Sequence, residues 1–432
     1  MTPGARAQMT IEILDGLATS RKPADRFVER WFRERRFAGS GDRRYISDFV
    51  FAILRRFGEL AWWCEIDEHR TLVIAGLVRL QNWTIEEFDK AFDGESHRPD
   101  ALSTEERALV IEISEEPDHP KDMPVSVAGS FPEWLEPELT ERFGDQLIAE
   151  MSAMNERAPV DIRVNTLLTD RQSALTALAD EGIEAEFSSL SPIGLRLVGR
   201  KRITGSKLYK DGHVEIQDEA AQLASLLVAA EAGQLVGDVC AGAGGKTLAL
   251  AAVMENSGQI HAWDIDGARL DSLSERLLRA GVTSVQSKRI APDAGPDHEA
   301  LTGKLDRVLI DAPCSGTGTW RRNPETKWRL DDKTLSRQVA RQRDLLVQFA
   351  DLVRPGGRLV YATCSVLNRE GSEQIDWFVK RRPDFKVVPI PDVWAATIET
   401  PCPMNEKYLN LSPAANGTDG FFAAVLERKL HD

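Results

Sequence analysis

Cys314, in DAPCSGTG, and Cys364, in YATCSV, each directly follow a run that reads as a buried strand, Leu305 to Ile310 and Arg358 to Ala362. If both strands belong to one parallel sheet, both thiols emerge at its carboxyl edge, where open α/β sheets bind their ligands. A thiolate there is a nucleophile, and a second thiol beside it can move a proton. The ordinary alternative for either cysteine alone is a buried small apolar residue.

A second group of residues suggests what such a site would hold. The loop Cys240, Ala241, Gly242, Ala243, Gly244, Gly245, Lys246 follows a strand-like run and opens a helix, the place for a nucleotide-shaped ligand that needs a close backbone approach. A Walker A loop needs glycine where Cys240 stands, and a dinucleotide fingerprint needs a third glycine where Thr247 stands. What remains is a looser loop suited to a smaller nucleoside such as S-adenosyl-L-methionine. Asp264, at the end of the next strand and about 20 residues past the glycines, is placed to accept hydrogen bonds from ribose hydroxyls. Asp266 is its near competitor, and the alternative for either is a helix N-cap.

The elements that must position these residues follow from hydrophobic periodicity. From Gln217 onward, strand-like LVGDVC, QIHAWDI, TSVQS, LDRVLI and GRLVYA alternate with helical TLALAAVM, ARLDSLSERLLRAG, SRQVARQRDLLVQFADLV and EGSEQIDWFVKRR. This is the pattern of an α/β, Rossmann-like doubly wound sheet over residues 216–432, with FKVVPI and FFAAVLER as an edge hairpin. Residues 1–120 read as almost all helix, and the Pro-rich, acidic stretch Ser114 to Val127 reads as a linker. Residues 121–215 read as that linker and a small α+β unit, with strands in DIRVNTLL, IEAEFSSL and GLRLVG and a helix in RQSALTALADEG.

Composition narrows the class. At 432 residues the chain exceeds one hydrophobic core, so two or three domains are expected. The N-terminal MTPGARAQMTIEIL lacks a secretory pattern, and no apolar run approaches the roughly 20 residues of a membrane helix, so a cytoplasmic, membrane-free protein is expected. Five scattered cysteines fit neither a disulfide framework nor a zinc site, and no metal is expected. The net charge of −14 argues mildly against nucleic acid, but the charge is uneven. Basic residues outnumber acids between Arg21 and Arg56, and a second cluster, including Arg321, Arg322, Lys327, Arg329 and Lys333, follows Cys314 closely. The bland reading of such runs is a solvated helix face.

Taken together, DAPCSGTGTWRRNPETKWR, YATCSVLNREGSEQI, DVCAGAGGKT, GHVEIQDEAAQL, DIRVNTLL and the terminal TDGFFAAVL resemble the RNA 5-cytosine methyltransferases of the RsmB/NOP2/Sun family. The resemblance spans roughly Pro132 to the C-terminus, and its two cysteine motifs are highly specific as a pair. DNA cytosine methyltransferases carry only a motif of the Cys314 type. The helical N-terminus, with DRRYISDFVFAILRR, resembles the NusB-type RNA-binding domain of bacterial RsmB proteins in a shorter, less specific match.

The resemblance implies why two thiols are present. Carbon 5 of cytosine is a poor nucleophile, so a thiolate adds at carbon 6 and turns the ring into an enamine able to attack a sulfonium methyl. Cys364 is then the attacking nucleophile and Cys314 assists release. Asp311 holds the pyrimidine edge as charge develops, its alternative being a turn cap. Cys240 through Lys246, Asp264, Arg269 and Asp311 are implied to line the S-adenosylmethionine pocket. Arg321 and Arg322 are candidates for RNA contacts, and Trp320 and Trp328 for stacking on a splayed base, although packing is the commoner fate of tryptophan. In this fold class the strands before the two cysteines are neighbours, about 4.8 Å apart. A helix from about Glu370 would aim its positive end near Cys364.

Three departures from the family pattern stand out. Gly242-Ala243 replaces Ala-Pro in the glycine loop. Ser287, Lys288, Arg289 and Ile290 occupy the stretch where an acid would hold the adenine amino group, Asp293 being the nearest substitute. SPAANGTDGFF lacks the basic or histidine character often seen before Asp419. The expectation is a monomeric, S-adenosylmethionine-dependent RNA (cytosine-5)-methyltransferase acting on small-subunit (16S) ribosomal RNA, with transfer RNA as runner-up. From another class, a non-catalytic RNA-binding or ribosome assembly factor would keep the fold without using the thiols. A small-molecule or protein methyltransferase would need no such pair.

Overall fold

Apolar runs that are buried on both faces build the central sheet, and a computed structural model of the chain describes residues 1–64, 68–117, 119–199, 201–291 and 300–430. The chain divides into two units, Met1–Ala158 with Thr319–Leu330, and Pro159–Gly318 with Asp331–Asp432.

The first unit is helical. Helix Ser40–Arg55 buries Ile46, Phe49, Val50 and Ile53, the i, i+3, i+4, i+7 stripe of an amphipathic helix. Helix His69–Gln81 is buried without interruption from Thr71 to Val78, so it runs through the middle of the unit. Its end is set by Asn82 in the left-handed conformation (φ 56°). Capping boxes at Thr84 with Glu87 and Ser103 with Glu106 start the helices Ile85–Ala91 and Thr104–Glu115. Beyond the Pro-rich stretch the helices resume and run on through Leu147–Asn155. The segment Thr319–Leu330 belongs to this unit, although in sequence it follows the Cys314 motif.

The second unit contains two sheets. The smaller is antiparallel, built from β1 (Val160–Val164), β2 (Ala185–Phe187), β3 (Gly194–Leu197) and β4 (Val214–Ile216) in the order β2-β3-β1-β4. Helix Arg171–Asp180 packs Ala174 and Leu178 into its core beside Ile162, Val164 and Leu195. The strand β4 completes this sheet by pairing antiparallel with β1.

The larger sheet comprises β5 (Leu235–Val239), β6 (Gln259–Asp264), β7 (Val285–Arg289), β8 (Leu305–Asp311), β9 (Val353–Thr363), β10 (Phe385–Val388), β11 (Leu409–Leu411) and β12 (Phe421–Arg428). Its order is β10-β12-β9-β8-β5-β6-β7, with β11 paired to β12. The strands β5 to β9 run parallel, whereas β12 is antiparallel to both β9 and β10. FFAAVLER does pair antiparallel with FKVVPI at this edge, with β11 between them in sequence rather than a tight hairpin turn. It lies between β9 and β10, because Phe421 to Leu426 are buried in succession and need cover on both faces. The chain winds outward from β5 in both directions, so a crevice opens at the carboxyl ends beside it. Among the described residues no helix is long and apolar enough to cross a membrane.

Candidate active site

Five strand ends converge on this edge. At the end of β5, Cys240 takes a left-handed conformation (φ 62°) that turns the chain out of the sheet. Gly242 (φ 57°) and Gly244 (φ 83°) continue the turn, and a Cβ on Gly244 would stand 2.1 Å from Leu273 Cδ1. Only glycine therefore lets the loop pack this closely on helix Gly267–Ala280. Helix Gly245–Val253 then begins at the loop and presents its first backbone N–H groups to the crevice.

Asp264, at the end of β6, is buried, and it reaches back to the loop. Its Oδ2 accepts the Gly242 N–H at 2.8 Å and its Oδ1 the Asp266 N–H at 2.8 Å. Asp266 instead caps helix Gly267–Ala280 by accepting from Ala268 and Arg269 N–H. The two competing aspartates thus divide into a loop-bound carboxylate and a helix cap. The Arg269 side chain is 65% exposed, 3.6 Å from Asp266. Its Nη1 stands 4.0 Å from where a Gly242 Cβ would be. At the end of β7, Lys288 and Arg289 are exposed, and Arg289 donates to the Ile265 carbonyl. No acid occupies the stretch Ser287 to Ile290, and Asp293 lies outside the described residues.

On the other side of β5, Lys246 Nζ donates to Asp311 Oδ2 at 2.7 Å, at the end of β8. Burial alone would depress the Lys246 ammonium, but the Asp311 carboxylate, with Cys364 and Asp238, outweighs it and holds the group above its usual range. The strands β8 and β9 pair Asp311 with Ala362, so the cysteines beyond them are brought together, with Cys314 Sγ 3.4 Å from Cys364 Sγ. The hydrogen bond to Cys364 and burial, followed by the charges of Cys364 and Glu370, raise the Cys314 thiol well above its ordinary range. Cys240 is pushed up to about 12, first by burial and then by Asp311 and Asp264, so it stays a thiol.

Several participants were not singled out from sequence. Asp238 in β5 is fully buried, accepts from Thr247 Oγ1 at 2.6 Å, and is pushed up to about 7 chiefly by burial. Phe421 places its ring 5.5 Å from Lys246 Nζ. The carboxylate of Asp218 caps helix Glu219–Leu226 and accepts the Asp419 N–H, joining the quoted segments GHVEIQDEAAQL and TDGFFAAVL. The helix expected from about Glu370 begins two residues later, at Ser372, and Glu370 itself lies outside it. Glu370 ends the short 3-10 turn Asn368–Glu370, before helix Ser372–Arg381.

The residues after Gly318 behave differently from expectation. Trp320 is 0% exposed and Trp328 packs on Phe57, ring centroids 5.1 Å apart, within the helical unit. Trp320 is wholly a packing residue, and Trp328, half-buried, also donates its Nε1–H to the Leu54 carbonyl. Arg321 is 5% exposed, with its carbonyl accepting from Arg55 Nε at 2.8 Å, and Arg322 is half-buried. Lys327, at 0% exposure, donates to the carbonyls of Ser130 (2.7 Å) and Arg55 (3.2 Å) and to Asn155 Oδ1 (2.7 Å). The basic run is therefore not a uniform cationic surface.

The site fits S-adenosylmethionine. The glycine turn leaves room for close backbone approach, and Asp264 is fixed by two N–H donors with oxygen lone pairs left for a ribose diol. Comparison with known proteins agrees. The model for the 16S rRNA methyltransferase RsmB/F family matches residues 225–427, and that for the RsmF/B-like ferredoxin-like domain matches residues 131–204. The probable ribosomal RNA small subunit methyltransferase B of Bacillus subtilis (strain 168) is 32% identical over 308 residues, 69% of this chain and 67% of that protein. The crystal structure of PH0851 aligns over 99% of both chains with a TM-score of 0.76 and 26% identity. A methyltransferase homolog protein from Pyrococcus horikoshii aligns over 70% of this chain and 97% of its own with a TM-score of 0.60 and 26% identity. The chain belongs to the RsmB/F family of 16S rRNA methyltransferases, whose cofactor is S-adenosylmethionine.

Proposed function

We propose that this protein methylates carbon 5 of a cytosine in RNA, with small-subunit ribosomal RNA as the substrate, through a covalent Cys364 adduct. The observation that carries this reading is the 3.4 Å separation of Cys314 and Cys364 at the ends of adjacent parallel strands, next to the Lys246–Asp311 pair. Methyl transfer to an oxygen or an exocyclic nitrogen requires no such pair of thiols. The relatives named as small subunit methyltransferases support the choice of RNA.

The residues divide the work by charge. Cys364, as the thiolate, adds to carbon 6 of the flipped cytosine. The carbon 5–carbon 6 π electrons then move toward carbon 5 and the ring. Lys246 and Asp311 offer a donor and an acceptor at the pyrimidine edge, where that charge is delocalised. Bound S-adenosylmethionine supplies an electrophilic methyl group. With the methyl on carbon 5, loss of the carbon 5 proton to solvent water re-forms the double bond and expels the Cys364 sulfur as a thiolate. Cys314, held as a thiol against that sulfur, is placed to protonate it as it leaves.

Bisulfite sequencing of total RNA from cells with and without the gene tests the reading. One protected cytosine in small-subunit ribosomal RNA is expected to disappear on deletion. An unchanged 5-methylcytosine map would contradict it.

A further inference from the structure

Two side chains of like chemistry 3.4 Å apart must be told apart by their surroundings, and those surroundings are asymmetric. On the Cys314 side lies Glu370, fully buried. Its carboxylate accepts the Ser315 N–H at 2.9 and 3.2 Å, the Ser315 hydroxyl, and Gln342 Nε2 at 2.9 Å. Gln342 Nε2 also donates to the Pro313 carbonyl at 2.9 Å. The residues on both sides of Cys314 are thus tied to one carboxylate and its amide partner. The Glu370 main chain is fixed as well, its carbonyl accepting the Tyr361 hydroxyl at 2.9 Å from β9. On the Cys364 side lies the Lys246 ammonium, from helix Gly245–Val253, with Asp311 of β8 behind it. Glu370, Tyr361, Lys246 and Asp311 are the titratable groups that face the pair from the turn, β9, the helix and β8.

A buried carboxylate with three donors is a stable fixed charge, and a fixed charge beside one of two coupled thiols decides which of them ionises. We propose that Glu370 is a positioning residue for the thiol pair: it locks the Cys314 loop and sets a negative charge on that side, so the shared proton stays on Cys314 and the thiolate forms at Cys364. This inference rests on the covalent reading of the site and explains how two adjacent cysteines take different roles in it.

The test labels the full chain with iodoacetamide across pH 6 to 11 without RNA and quantifies each cysteine by peptide mass spectrometry. In the wild type Cys364 is expected to label at lower pH than Cys314. In Glu370→Gln, with folding checked by circular dichroism, the Cys314 to Cys364 labelling ratio at pH 8 is expected to rise about tenfold, while Glu370→Asp keeps the wild-type order. A folded Glu370→Gln with the wild-type ratio, or wild-type thiols that titrate together, would overturn the inference. Because no RNA is present, failure of RNA methylation would sink the proposed function without touching the labelling order. A lost labelling order with intact methylation would sink only the role of Glu370.

Discussion

Asp264 accepts the Gly242 N–H at 2.8 Å, so the carboxylate at the end of β6 and the glycine turn at the end of β5 move as one. Asp266, two residues on, only caps the following helix. Asp264→Ala is therefore expected to weaken S-adenosylmethionine binding at least about tenfold by calorimetry, through lost ribose contacts and a loosened turn. Asp266→Ala is expected to cost about 1 kcal/mol of stability and leave affinity nearly unchanged. Equal losses of affinity would assign the wrong aspartate.

Gly318 links the Cys314 loop to its surroundings through backbone alone. Its N–H donates to the Cys364 carbonyl at 3.0 Å and its carbonyl accepts from Gly420 at 2.8 Å. A Cβ there would stand 1.9 Å from the Gly420 oxygen. Gly318→Ala is expected to lower stability by about 3 kcal/mol or more, and to reduce methylation even where the protein remains folded. Gly205→Ala, which meets nothing within 4 Å, is the control and should change the melting temperature little. Equal melting temperatures for the two variants would refute the close approach.

Burial, with Arg55 nearby, pushes Lys327 down to about 7 from an ordinary lysine value of 10.5. Between those values the unfolded chain binds more protons than the folded one, so stability must rise with pH across this window. The slope at its centre is about 1.4 kcal/mol per pH unit. Denaturant unfolding of the wild type and of Lys327→Met from pH 6 to 10.5 checks this. The variant should lack that rise, and parallel curves would contradict it.

The catalytic edge was legible in the sequence because its signals are local. Leu305 to Ile310, broken only by Asp306-Arg307, and Leu359 to Ala362 are strand-like runs that lead into a cysteine motif, and Asp264 follows the glycines at the spacing of one βαβ step. The misread parts depend on distant partners. Arg321 and Lys327 look like any basic loop until Arg55 donates to the Arg321 carbonyl and oxygens of Arg55, Ser130 and Asn155 accept from Lys327. The carboxylate role of Glu370 was not legible, since its donors on Ser315 and Gln342 lie 55 and 28 residues away. The place of β12 between β9 and β10 depends on which faces of the sheet are covered, which a single strand's pattern does not encode.

The division of labour between Cys314 and Cys364 is tested most directly by trapping. Wild type, Cys314→Ala and Cys364→Ala are each incubated with small-subunit ribosomal RNA and S-adenosylmethionine, then resolved on a denaturing gel for RNA-linked protein. Cys314→Ala is expected to accumulate a covalent adduct because the Cys364 sulfur cannot leave efficiently, whereas Cys364→Ala forms none. An adduct in Cys364→Ala and none in Cys314→Ala would reverse the roles and contradict the account.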